Sequence, residues 1–316
     1  MMSRRARWSL GVLIGLPIVA FSVWALVDNP RLFLITLLNS LTLASLYFIV
    51  ASGFTLVFGL MRNVNLAHGS LYLLGGYVAF IVAERTGWWI LALAAGFAVA
   101  ALGGLLIQVL ILRRMPGQDL RQTLITIALS IVIADVLIWI FTGQVHQMEA
   151  PEWLRGPIRD IPLIRAYSAY RLSLLGFGIA IGVGVWWLLN RTRVGLMIRA
   201  GVDDRAMLAA SGVNVNLVFA ITFMLGAGLA GLGGVFGAVE LSMVPGEDTR
   251  LLLASLVVVI VGGMGSVVGA ALGAAILGLA ETYGLAYAPT YSVVFTFVVL
   301  IGVLAFRPRG IMGKAA

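Results

Sequence analysis

Long uncharged apolar runs follow one another along nearly the whole chain. They cover Leu10–Val27, Leu32–Met61, Asn63–Ala83, Thr86–Leu112, Gln122–Met148, Leu172–Asn190, Ala206–Val239, Leu251–Ala280 and Thr282–Phe306, with Asp135 the one charge inside them. A membrane-crossing helix needs about 20 mostly apolar residues, and these runs are of that order. Their hydrophobicity is continuous, not alternating with period two, and barrel strands are only about 10 residues long. The pattern predicts an all-α polytopic membrane bundle of about 8–10 transmembrane segments, a single transmembrane domain over 1–316.

Charge between the runs sets the orientation, because Lys and Arg collect in short cytoplasmic loops. Arg4, Arg5 and Arg7 place the N-terminus (1–9) inside. Arg307, Arg309 and Lys314 do the same for the tail (307–316). Arg62, then Arg113, Arg114 and Arg121, then Arg191, Arg193, Arg199 and Arg205 mark internal cytoplasmic loops, the last of them over 191–216. The outer loops are then Asp28–Arg31, Glu84–Trp88, the long 143–171 segment and Glu240–Arg250. Leu10–Val27 follows a basic start like a signal peptide, but it has Pro17 in its middle and lacks a clean small-x-small cleavage site, so a retained first helix is expected.

Nine crossings cannot leave both termini on one side, so one segment must be broken or re-entrant. The best candidate is Leu251–Ala280, whose 30 residues would make a helix of about 45 Å against a core near 30 Å. Gly262, Gly263 and Gly265 interrupt its middle, and irregular backbone at membrane depth persists only where protein buries it or a wet cavity borders it. The alternative is an unbroken helix packing closely through small residues. Other glycine clusters, such as Gly75-Gly76 and Gly231-x-Gly233-Gly234, read as close helix contacts.

Composition narrows the function. Residues AVILMFWYC make up 61% and charged residues 11%, where about 25% charged is usual in a soluble domain. There is no cysteine and there are two histidines, so disulfides, cysteine nucleophiles and His-rich metal sites are excluded. The net charge of +8 fits basic cytoplasmic loops, and no basic patch interleaved with aromatics points to nucleic acid. No P-loop, Gly-x-Ser-x-Gly elbow or metal-binding His pair is present.

Three places remain for chemistry. Asp135 reads as the only mid-span carboxylate, a costly group that points to a cavity or partner, with no second buried charge beside it. The break between the second and third runs holds Asn63, Asn65, His68, Gly69 and Ser70. These neutral donors and acceptors suit a small polar or zwitterionic solute, and a half-helix starting there would aim its positive end at a carboxylate. A short cytoplasmic turn capping two helices is the alternative. In 191–216, Asp203 or Asp204 can cap a helix running to Ala210, and Gly212 can end it. A short cytoplasmic helix of this kind would dock a soluble motor; a solvated loop is the alternative.

Three blocks in order resemble one family. Residues 53–80 (GFTLVFGLMRNVNLAHGSLYLLGGYVAF), residues 199–238, and residues 253–281 with GGMGSVVGAALG and the tail FRPRGIMG are similar to the LivH-type permease subunit of branched-chain amino acid ABC transporters. The resemblance implies a transport subunit without its own ATPase site, in the bacterial inner membrane. It implies a LivM-like second permease subunit, two ATP-binding-cassette subunits that bind ATP and Mg, and a periplasmic substrate-binding protein. Carried onto this chain, the signature break falls on Asn65, His68 and Gly69, and the coupling element on Arg199, Asp203, Asp204, Ala209 and Gly212. Many members carry an acidic residue after the His-Gly pair, where this chain has Ser70. The superfamily also moves urea and short amides. An ion-coupled secondary transporter is the remaining rival, resting on Asp135 alone.

Overall fold

In hydrocarbon every backbone polar group must pair inside its own segment, and continuous apolar runs achieve this as helices. A computed structural model describes residues 20–61, 64–161 and 163–313. After a helical stretch over 20–28, the helices are α1 (Pro30–Met61), α2 (His68–Thr86), α3 (Trp89–Leu106) and α4 (Asp119–Phe141), then α5 (Ala169–Arg191), α6 (Arg193–Asp203), α7 (Arg205–Ala210) and α8 (Val215–Glu240), and last α9 (Glu247–Gly262), α10 (Val267–Tyr287) and α11 (Ser292–Phe306). Six described helices are long and apolar enough to cross a membrane: α1, α3 with its extension, α4, α5, α8 and α10. Arg4, Arg5, Arg7, Arg62, Asn63 and Lys314 lie outside the described residues.

The core gathers around α8, which packs on α1, α2 and α3. Its glycines make this possible. A side chain on Gly231 would strike the backbone of Gly96, and one on Gly234 would strike the Tyr72 carbonyl. Gly75 faces Gly231 directly. With no driving force from water between helices in lipid, such backbone-to-backbone approach supplies the packing. Tyr47, Tyr72, Phe54, Phe223 and Phe236 fill the spaces between the seams.

The break within Leu251–Ala280 is present. α9 and α10 form an antiparallel hairpin, with Gly262 against Gly269 and Gly273 against Val258. The turn bends through Gly263 (φ 106°) and Gly265 (φ 81°), left-handed conformations that favour glycine. The tail seals it: Ile311 N–H donates to the Val261 carbonyl and Met312 N–H to the Gly262 carbonyl, both at 2.9 Å.

Several boundaries differ from the expected ones. The run Thr282–Phe306 is not one span. α10 continues to Tyr287, Ala288–Tyr291 breaks the helix, and α11 has only 15 residues. Pro289 explains it, since the residue before a proline is pushed out of the helical region, and Ala288 sits at φ −147°. Ala206–Val239 likewise divides, because Gly212 at φ 82° ends α7 before α8 starts. The segment 143–171 carries a small antiparallel hairpin, β1 (Pro157–Ile161) with β2 (Ile164–Ser168). Tyr167 pins it to α1 by hydrogen bonding Asn39 and Thr42, and burial pushes its phenol pKa up. Arg171 reaches both Glu240 and Asn39, tying α5 to α8 and α1.

Candidate translocation and coupling sites

The polar break does not sit as a turn beyond the helix ends. His68 Nε2 lies 3.0 Å from the carbonyl of Val50, eleven residues before the end of α1. That places the start of α2 about 16 Å inside the end of α1. A carbonyl only accepts, so Nε2 carries the proton and Nδ1 is left as an acceptor. Phe54 meets the ring edge-on at 5.4 Å.

Around His68 the chain builds a buried polar nest. Asn65 Oδ1 accepts from Ala67 N–H, and Leu66 N–H donates to Thr126 Oγ1. Ser70 Oγ lies 2.6 Å from Ser130 Oγ and 3.4 Å from Asp248 Oδ2. Asn65, His68, Ser70, Thr126 and Asp248 are each 5% exposed or less. Gly69 has no room for a side chain, because its α-carbon faces the Asp248 carbonyl. Two atoms of the nest, His68 Nδ1 and Asn65 Nδ2, have no partner among the described residues. One is an acceptor and the other a donor, which matches the two ends of a small polar solute.

Asp248 corrects the expectation that Asp135 stands alone. The segment Glu240–Arg250 is not a free outer loop: its last four residues are the first turn of α9, tucked against α2. An acidic first turn is stabilised by the helix dipole. Arg250 holds this turn in place, binding Glu247 and Glu281 at 2.9 Å each, while Tyr47 donates to Glu281 at 2.6 Å. The N-terminal ends of α2 and α9 therefore converge on one buried carboxylate.

The other expected pathway residues do not join the nest. Asp135 is exposed on the outward face of α4, among Ile131, Val132, Val136 and Trp139. Gly262 lies fourteen residues, about 21 Å, along α9 from Asp248. Gly262, Gly263 and Gly265 instead bring together α10, the tail and Gly59 of α1.

The coupling segment is two helices, not one. Asp203 ends α6 and does not cap; Asp204 caps α7, its Oδ1 accepting from Ala206 N–H at 2.8 Å and Met207 N–H at 3.0 Å. Leu208 roots α7 in a small cluster with Ile198 and Val218. Met207 (70% exposed), Ala209 and Gly212 face outward. Arg199 bonds Asn190 at the end of α5.

A multi-pass helical membrane protein with a buried polar nest and a projecting surface helix is the architecture of a transport permease subunit. The sequence matches the family described as branched-chain amino acid transport system / permease component over residues 36–304, and the chain belongs to that family. It is 29% identical to the high-affinity branched-chain amino acid transport system permease protein BraD of Pseudomonas aeruginosa, covering 88% of this chain and 95% of the relative. It is also 29% identical to the corresponding permease protein LivH of Escherichia coli, over 89% and 96% of the two chains. A ribose import permease protein, RbsC of Escherichia coli, is 27% identical over 79% and 78%. No solved structure gives a significant match.

Proposed function

We propose that this chain is one of two membrane subunits of an ATP-driven importer of branched-chain or closely related amino acids. The observation that supports the substrate class best is end-to-end similarity to BraD and LivH. The nest agrees chemically. Asp248 and the unpartnered His68 Nδ1 suit an ammonium, and the unpartnered Asn65 Nδ2 donor suits a carboxylate. The carboxylate that the family resemblance puts after the His-Gly pair is supplied here from α9, by Asp248 beside Ser70.

In this reading the end carrying Arg113, Arg191, Arg199, Arg205 and Arg307 is cytoplasmic, with both termini on that side of the inner membrane. The 143–171 hairpin faces the periplasmic binding protein. Two cassette ATPases, which bind ATP and Mg, dock on the coupling helices of the two membrane subunits, one of them on α7 around Met207 and Ala209. The chain itself holds no nucleotide and is not an enzyme. Asp135 on the outer face of α4 meets the LivM-like subunit across a water-filled path, since a carboxylate facing hydrocarbon is costly. Urea and short amides are the alternative cargo.

Reconstitution tests the proposal. Vesicles containing both permease subunits and the ATPases, with binding protein outside, should accumulate labelled leucine only with ATP inside. Accumulation driven by a proton or sodium gradient without ATP overturns it.

A further inference from the structure

A polar cavity lies at the basic end of the bundle, away from the nest. It has a volume of about 180 Å³ between the end of α3 and the start of α8, and Gln108, Val109, Arg113, Asn214, Asn216 and Leu217 line it. α3 does not arrive there as a regular helix. Its last stretch, Ile107–Ile111, is a π turn, a feature that recurs at functional sites because it re-aims side chains. Gln108 lies in that turn. It is 2% exposed, yet its Oε1 has no hydrogen-bond partner among the described residues. A buried acceptor left without a donor is unfavourable unless something else supplies the donor.

The rest of the lining has the opposite character. Among the described residues Arg113 is its one charge, and no carboxylate lines the cavity. Asn214 caps the 26-residue α8 by accepting from Leu217 N–H, so the positive end of that helix opens here. Val109 and Leu217 add an apolar wall. At about 30 Å³ per water-sized group, the space takes roughly six such groups, enough for the ammonium, carboxylate, α-carbon and β-carbon of an amino acid, with the rest of the side chain leaving through the open mouth.

The geometry points to a second site for an α-amino acid, whose carboxylate pairs with Arg113 and the α8 N-terminus while its ammonium donates to Gln108 Oε1. This rests on the importer reading and on the basic end being cytoplasmic. The site then takes up solute already delivered to the cytoplasm. An occupant bridges α3 and α8 four residues after the end of α7, the helix proposed to receive the ATPase stroke. Occupancy restrains that stroke, so the imported product slows its own entry.

Two measurements on the full transporter test the site. In vesicles as above, preloading millimolar unlabelled leucine inside should slow initial uptake severalfold, whereas isovalerate (no ammonium) and isoamylamine (no carboxylate) should not. Arg113→Gln and Gln108→Leu should each raise the inhibitory leucine concentration about tenfold, the usual scale for losing a charge-assisted bond. Calorimetry of leucine with the same transporter, without binding protein, should show the matching loss in both variants. Preloading without effect, or inhibition and binding unchanged in Arg113→Gln, overturns the site. Isovalerate acting as well as leucine overturns it too, by reducing it to an anion site. Uptake into leucine-free vesicles separates the two proposals. Its absence sinks the importer reading while calorimetry still judges the cavity. Arg113 is exposed, so its variant keeps the test valid if Gln108→Leu misfolds.

Discussion

Replacing Asp204 with Ala isolates α7, the proposed coupling helix, from everything else in the molecule. α7 has six residues, too few to be stable as an isolated helix in water. Three things hold it: Leu208 in the cluster with Ile198 and Val218, Arg205 stacked 4.8 Å over the Phe219 ring of α8, and the two cap bonds from Asp204. Asp204→Ala leaves the first two and removes the third, at about 1 kcal/mol for an N-cap. That is roughly a fivefold shift in the local opening equilibrium. Hydrogen exchange should therefore speed about fivefold at the Leu208 and Ser211 amides, which donate back into α7 and its cap. It should not change in α8. ATP-driven uptake and retention of the ATPase subunits in pull-down should fall together, and Asp204→Ser, which keeps a cap oxygen, should restore both. Unchanged exchange in Asp204→Ala would refute the local argument. Faster exchange with undiminished coupling would remove α7 from the motor interface.

Gly234→Ala should cost about 1–3 kcal/mol by forcing α8 away from the Tyr72 carbonyl, visible as lower yield of monodisperse protein in detergent. Ser70→Asp places a second carboxylate beside Asp248 and should abolish leucine uptake with assembly intact; normal uptake would show that the nest tolerates like charges and does not set the substrate. Asp135→Asn should reduce uptake without loss of the second membrane subunit in co-purification, and full activity would leave Asp135 a structural group. Gly212→Ala puts a side chain at φ 82° and should destabilise the end of α7 by about 1 kcal/mol, read by the same exchange experiment.

Features written in local chemistry were legible in the sequence. The Gly262–Gly265 break, the Asp204 cap and the Gly212 stop each follow from what one residue permits its own backbone. The depth of His68 was half legible: its polar neighbours announced a break, but only the contact with Val50 places it within the bundle. Asp248 was not legible, because a charged pair after a loop reads as surface wherever tertiary packing is unknown. The π turn at Gln108 has no sequence signal at all. Pro289 was a signal for the break before α11, overridden by an unbroken apolar run on both sides.

The glycine seams have a mechanical consequence. Where α8 meets α1, α2 and α3 with backbone against backbone, there is no layer of side chains to slide or re-pack, and close-packed interfaces move as blocks. Those four helices form a stator. Among the helices long enough to span, α4 and α5 are the least enclosed, and they border the nest and the coupling helices respectively. These two are the elements left free to shift against that block, and a shift of α4 acts directly on the Ser70–Ser130 pair.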